Sequence, residues 1–176
     1  EVFFNGEYYI AKYMPWYYIP GTILITTPLI IVFTFSIGSY LSIKKLFFNL
    51  INLDNGNENI WKNNLELYLL YSIIVIFLTI FFIIELKATV YTGWRQVYFI
   101  YPSIVFIAIY CIDLIYKKIN QKKILDTLLY VSIFLNILWI FNNHPYQYIF
   151  YIFLISKNNI KNFELDYYGI SNLKIL

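Results

Sequence analysis

The stretch from Ile19 to Ile43 contains no charged residue. It exceeds the roughly 20 apolar residues with which an α-helix crosses a hydrocarbon core about 30 Å thick. The stretch therefore predicts a membrane-spanning helix. Pro28 lies within it, and because proline removes a backbone donor and crowds the preceding turn, we expect a kink there.

The rest of the chain has the same apolar character. Hydrophobic residues make up 60% of the 176 residues and charged residues 13%, with a mean hydropathy of +0.62, which is more apolar than a soluble domain requires. Further spans are predicted at about 65–84, 97–116 and 124–141. The predicted fold is thus an all-α membrane protein with about four transmembrane helices over residues 1–141. Residues 142–176 are expected to form an outer-face segment that begins a truncated soluble domain, and the chain is expected to be a fragment.

Lysine-rich connectors determine the predicted orientation, because positively charged loops resist translocation. The connector after the third span holds four lysines within residues 117–123, and the one after the first span holds Lys44, Lys45 and Lys62. Both connectors are expected to be cytoplasmic, which places residues 1–18, 85–96 and 142–176 together on the opposite face. The net charge of +3 is small and dispersed, so no nucleic-acid partner is predicted.

Arg95 is the leading candidate for a binding residue. It stands at the start of the third predicted span, in the sequence Tyr91-Thr92-Gly93-Trp94-Arg95-Gln96. A guanidinium can hold a phosphate with two parallel hydrogen bonds. The alternative is that Arg95 only anchors the helix end among lipid headgroups. Glu85 and Lys87, in the same connector, are expected to pair with each other.

Two further candidates follow the fourth span. His144 is the only histidine and precedes Pro145, Tyr146, Gln147 and Tyr148. It is suited to proton transfer or to binding a polar ligand, or else to a structural hydrogen bond in a turn. Glu164 and Asp166 would share one face of an extended strand. They suit a divalent cation or sugar hydroxyls, or else face water. No metal site is predicted, and the cofactor stays unknown, with a divalent cation left open.

Cys111 and Asp113 are given structural roles. The single cysteine excludes an internal disulfide and a multi-cysteine metal site, and Cys111 is expected to be a small core residue. Asp113 is expected to pair with Lys117 one helical turn later.

Taken together, these segments resemble the C-terminal half of bacterial membrane glycosyltransferases of the GT-C architecture, the protein mannosyltransferase-like or glycosyltransferase family 39-like group. The resemblance covers nearly the whole chain and rests on the order of these motifs: Phe3-Phe4-Asn5-Gly6-Glu7, Pro15-Trp16-Tyr17-Tyr18 with Pro20, Ile25-Thr26-Thr27-Pro28-Leu29, Tyr91-Thr92-Gly93-Trp94-Arg95, Tyr101-Pro102, His144-Pro145-Tyr146-Gln147-Tyr148 and Phe163-Glu164-Leu165-Asp166-Tyr167-Tyr168-Gly169.

The resemblance implies a hexosyltransferase-like enzyme in a bacterial inner (plasma) membrane. It would transfer a sugar from a polyprenyl-phosphate-linked donor to an unknown acceptor on the periplasmic or extracellular face. It implies that Arg95 holds the donor phosphate and that Tyr91, Trp94, Gln96 and the segment His144–Tyr148 line the same cavity. The family's catalytic aspartate belongs to its N-terminal half, so the fragment is expected to be inactive alone.

The sequence departs from the family at three positions. Members often carry aspartate where this chain has Thr92, histidine where it has Gln96, and tryptophan where it has Tyr168. Two other functions stay open: half of a transporter or flippase for a lipid-linked substrate, and a non-catalytic membrane subunit. A transporter would be expected to carry midplane charges or paired broken helices, neither of which the sequence predicts.

Overall fold

A computed structural model describes residues 1–52, 60–120, 122–142 and 162–163. It is mostly helical, at 75%. The elements in chain order are strands β1 (Val2–Phe4) and β2 (Glu7–Tyr9), a 3-10 turn (Ala11–Tyr13), helices α1 (Tyr18–Thr26), α2 (Leu29–Ile51) and α3 (Asn64–Glu85), a second 3-10 segment (Arg95–Ile100), and helices α4 (Tyr101–Lys118) and α5 (Lys122–Asn142).

Four helical segments are long and apolar enough to cross a membrane: Leu29–Ile51, Asn64–Glu85, Arg95–Lys118 and Lys122–Asn142. The predicted helical membrane class with four candidate spans is therefore confirmed, and the chain has the character of a multi-pass membrane protein. The α5 helix has no buried residue within its described length, as expected for a helix with an apolar solvent on several sides.

The first predicted span differs from the structure. Instead of one kinked helix over 19–43, the chain forms α1 and α2 with a break at Thr27, whose backbone is extended at φ −106° and ψ 138°. The residue before a proline is driven out of the helical region by the proline ring, so Pro28 ends α1 rather than bending it. The α2 helix then runs past Lys44 and Lys45 to Ile51.

The described residues fall into two compact units. The first comprises 1–28, 80–98 and the described part of 134–176, and the second comprises 29–79 and 99–133. The lysine-rich connectors after α2 and α4 belong to the second unit, while residues 1–18 and 85–96 belong to the first. The face of the membrane on which either unit lies stays a prediction.

A β-hairpin opens the first unit and was not part of the all-α prediction. Its two-residue turn is Asn5-Gly6, with φ of 54° and 85°, and Phe4 pairs with Glu7 across it. Two successive positive φ angles are the geometry of a type I′ turn, for which Asn-Gly is the preferred sequence. The hairpin also meets the distant segment 162–163: the Gly6 amide donates to the Asn162 carbonyl at 2.9 Å, and Phe4 forms an isolated bridge with Phe163.

Close packing of α2 on α4 forms the core of the second unit. An added Cβ at Gly38 would lie 2.6 Å from the Ile107 carbonyl oxygen and 3.1 Å from the Cys111 Cβ. Ser39 and Ser42 on α2 are buried beside it. Small residues at a helix interface let two backbones approach, which is the usual way that membrane helices gain packing energy. Cys111 is fully buried and free, which confirms its core role.

A buried carboxylate joins α2 to the start of α3. Glu66, whose side chain is 3% exposed, pairs with Lys45 at 2.9 Å and accepts hydrogen bonds from the Asn49 side chain at 3.0 Å and the Lys62 amide at 2.8 Å. We call these residues the Glu66 cluster. The amide of Glu66 in turn donates to the Asn63 side chain, so Asn63 caps the helix. The exposed Asp113–Lys117 pair on α4 is also present, as predicted.

Candidate functional site

The segment 91–96, here called the Arg95 loop, is held on α1 by two hydrogen bonds. The Gly93 amide donates to the buried Tyr18 hydroxyl at 2.9 Å. The Trp94 indole N–H donates to the Thr26 hydroxyl at 2.7 Å, and that hydroxyl donates to the Thr22 carbonyl. Because both anchors lie on one nine-residue helix, the backbone of the loop is fixed before any ligand binds.

An aromatic cluster supports the same helix from the hairpin side. The Phe4 ring lies 4.9 Å from that of Tyr18, edge to face, and 5.5 Å from that of Phe163. Tyr17 completes the cluster at 6.0 Å from Phe4. Edge-to-face pairs contribute about 0.5–1.5 kcal/mol each beyond the area that they bury. Tyr18 thus connects the hairpin and the segment at 162–163 to the Arg95 loop.

The strands carry one further polar contact on this side. The Tyr9 hydroxyl donates to the Glu7 carboxylate at 2.6 Å. Hydrogen bonds to Glu7 and Tyr17 raise the pKa of the Tyr9 hydroxyl above its ordinary value. Tyr9 therefore stays neutral near neutral pH and keeps its hydroxyl proton in the hydrogen bond to Glu7.

The candidate residues of the Arg95 loop have different environments. Arg95 and Gln96 are exposed, and Tyr91 is 54% exposed. Trp94 is 4% exposed, and its ring packs edge to face against Tyr98 at 4.5 Å between centroids. The geometry therefore gives Trp94 a role in holding the loop in place, while Arg95, Gln96 and Tyr91 lie at the surface.

Thr92 adopts a backbone conformation that is unusual for its side chain. Its φ is 57°, followed by Gly93 at 66°. A β-branched residue in the left-handed region is strained, whereas asparagine and aspartate tolerate that region well. Aspartate would therefore fit the backbone at this position more easily than threonine does.

A cleft in the first unit was missed by sequence reasoning. It has a volume of about 290 Å³ and lies between residues 12–19 and 83–90. Two lysines, Lys12 and Lys87, line it together with Tyr13, Met14, Pro15, Trp16, Tyr18, Ile19, Ile83, Ile84, Ala88 and Val90. We call it the lysine cleft.

The predicted Glu85–Lys87 pair is wrong, since these two side chains form no ion pair in the structure.

The remaining candidates, His144, Tyr146, Gln147, Tyr148, Glu164 and Asp166, lie outside the described residues. Phe163, directly before Glu164, contacts Phe4 as described above. Among the residues that the structure describes, no group of three or more histidine, cysteine or acidic side chains is placed to hold a metal ion.

Replacing Tyr18 by phenylalanine tests whether the Arg95 loop is held from α1. The change keeps the buried ring but leaves the Gly93 amide without its acceptor, and an unsatisfied buried donor costs about 1–3 kcal/mol. We expect the free energy of unfolding in detergent to fall by that amount, together with faster amide exchange at Gly93. Tyr13→Phe, at an exposed ring, is the matched control and is expected to leave both quantities unchanged.

Comparisons with known proteins identify no relative of the chain. No protein-family model matches the chain, and neither curated proteins nor solved structures give a match.

Proposed function

We propose that the chain is part of an integral membrane glycosyltransferase that transfers a sugar from a polyprenyl-phosphate-linked donor to an acceptor. The observation that supports this proposal is the placement of Arg95. Its side chain is exposed on a loop whose backbone is fixed to α1 through Gly93 and Trp94, at the first residue of a segment long and apolar enough to span a membrane. With this segment across a bilayer, the Arg95 cation would lie at the boundary where a lipid-linked phosphate meets water.

The chemistry of the reaction assigns a role to this cation. When the sugar leaves its carrier, negative charge develops on the phosphate oxygens. A guanidinium that donates two hydrogen bonds to those oxygens stabilises the charge more in the transition state than in the ground state. Because the loop is held in place beforehand, little reorganisation is required during the reaction. Gln96 and Tyr91 are the accessible neighbours that would orient the phosphate or the sugar.

Arg95→Ala in the complete protein is expected to lower the rate of sugar transfer by at least about 100-fold, a typical loss for one charge-stabilising donor. Arg95→Lys is expected to recover part of the rate, because an ammonium keeps the charge but loses the paired hydrogen bonds. The measurement is transfer of labelled sugar from a polyprenyl-phosphate donor in membranes, with the amount of inserted protein quantified in parallel.

Lys118→Ala is the matched control, since Lys118 is an exposed cation at the other end of the same segment. It is expected to leave transfer unchanged. Unchanged transfer in Arg95→Ala at normal insertion would remove the central role proposed for Arg95, and an equal loss in both variants would assign the effect to membrane binding.

One observation favours the transporter alternative. The break between α1 and α2 creates a discontinuous helix in an apolar stretch, with the buried Thr27 at the break, and discontinuous helices are common at transporter binding sites. The two functions differ in their products. A transferase releases free polyprenyl phosphate as the sugar leaves, whereas a flippase moves the intact lipid-linked sugar across proteoliposome membranes.

A further inference from the structure

The lysine cleft brings two lysines together at one place. Its two cationic side chains, Lys12 and Lys87, are exposed and form no ion pair with another described residue. The carboxylates nearest in sequence to the two lysines, Glu7 and Glu85, do not line the cleft. The cleft is therefore a positively charged site whose charge no described carboxylate neutralises.

The lysine cleft lies at the end of α3. Ile83 and Ile84 belong to the last turn of α3, a candidate membrane-spanning helix that ends at Glu85. With α3 across a bilayer, the cleft would lie where that helix leaves the hydrocarbon core. Tyr13 and Trp16 in its wall are 63% and 68% exposed, and such rings are enriched at the level of the headgroups.

The backbone at Lys87 adds an independent observation. The Lys87 amide bonds to the Ile84 carbonyl and the Ala88 amide to the Ile83 carbonyl, and Lys87 has a φ of 48°. This is the Schellman arrangement, in which glycine is the residue that best fits the left-handed position. A lysine there is less favourable for the backbone, but it places a positive charge at the edge of the cleft.

We propose that the lysine cleft binds the headgroup of an anionic diacyl phospholipid from the surrounding bilayer. The phosphate lies between the Lys12 and Lys87 ammonium groups, and the glycerol and upper acyl carbons contact Ile83 and Ile84. The volume of about 290 Å³ is at the small end of ligand sites and suits a headgroup rather than a whole lipid. The proposal does not depend on the proposed transferase activity, because Arg95 does not line this cleft.

The test compares lipid retention by the complete protein in native mass spectrometry, using phosphatidylglycerol and phosphatidylcholine as probes. We expect retention of phosphatidylglycerol over phosphatidylcholine. Each of Lys12→Ala and Lys87→Ala should weaken phosphatidylglycerol retention roughly fivefold, and the double variant roughly 25-fold. The control is Lys44→Ala with Lys118→Ala, which removes two exposed lysines of the second unit and should leave retention unchanged.

Lys87→Gly distinguishes the loss of the lysine charge from a loss of folding stability. It gives the left-handed position its best residue, so it should preserve or raise the thermal stability in detergent while weakening retention as much as Lys87→Ala does. Normal retention in Lys87→Gly or in the double alanine variant would overturn the proposal, as would equal binding of the two phospholipids.

Competition experiments identify which phosphate compound the lysine cleft binds. Glycerol phosphate, which has no acyl chains, should not displace phosphatidylglycerol, and polyprenyl phosphate should displace it no better than a second anionic phospholipid does. Displacement by glycerol phosphate at comparable concentration would make the cleft a site for free phosphate. Preferential displacement by polyprenyl phosphate would make it a donor site, and either result would contradict the assignment to a bilayer phospholipid.

Discussion

Gly38→Ala is expected to lower the free energy of unfolding in detergent by about 2–3 kcal/mol, although alanine is the better helix former. The new Cβ would stand 2.6 Å from the Ile107 carbonyl oxygen, which is a backbone atom and cannot rotate away. The α2 and α4 helices must separate to accommodate it. Separation also opens contacts around Ser42, which is fully buried in the same face of α2.

Gly21→Ala is the matched control for this prediction, since it is also a glycine-to-alanine change within a helix. At Gly21 the added Cβ would meet only the tip of the Phe4 ring, at 3.4 Å. The gain in helix propensity of up to about 1 kcal/mol is therefore expected to dominate, and stability should stay level or rise. Denaturant titration in one detergent measures both variants. Similar stabilities for the two would show that α2 and α4 are not in close contact at Gly38.

Glu66→Ala is expected to lower the free energy of unfolding by about 3 kcal/mol, at the lower end of the range for breaking a buried ion pair, because Lys45 is half exposed. The change leaves the Lys62 amide without its acceptor and leaves the Asn49 side-chain amide with the Ile60 carbonyl alone, and each lost hydrogen bond lowers the stability. It also releases the start of α3 from α2. Chemical denaturation in detergent and the amide exchange rate at Lys62 measure the two effects.

Two variants test whether the loss of stability is specific to the Glu66 cluster or follows from the loss of any ion pair. Glu66→Gln keeps a carbonyl acceptor and is expected to lose about half as much stability, since the hydrogen bonds persist without the charge. Asp113→Asn breaks the exposed pair with Lys117 and should cost no more than about 1 kcal/mol. The proposed role of the cluster would be wrong if Asp113→Asn were as damaging as Glu66→Ala.

The helical membrane class was predictable because it depends on sums of apolar residues over long windows. The start and end of the first span were not. The prediction ended that span at Ile43, before Lys44 and Lys45, because bare charges are costly in lipid. The structure extends α2 to Ile51, and within that extension Lys45 pairs with the buried Glu66. A compensating partner from another helix cannot be recognised in a local window.

The candidate site shows the same division between local and distant information. The exposed position of Arg95 at a helix start follows from its place in the sequence. The burial of Trp94 does not, because its partner Thr26 lies 68 residues earlier. The hairpin, by contrast, has a local signal in Asn5-Gly6, a dipeptide typical of two-residue hairpin turns. The lysine cleft required both Lys12 and Lys87, which only the fold brings to one place.

The seclusion of Cys111 has a practical consequence for mapping which loops face which compartment. Its thiol is fully buried and stands against the Gly38 backbone in the folded chain, out of reach of water-soluble maleimides. Among the described residues it is also the only cysteine. Reporters introduced by Tyr91→Cys or Lys118→Cys can therefore be read in an otherwise natural chain, without first substituting a residue at the tightest helix contact.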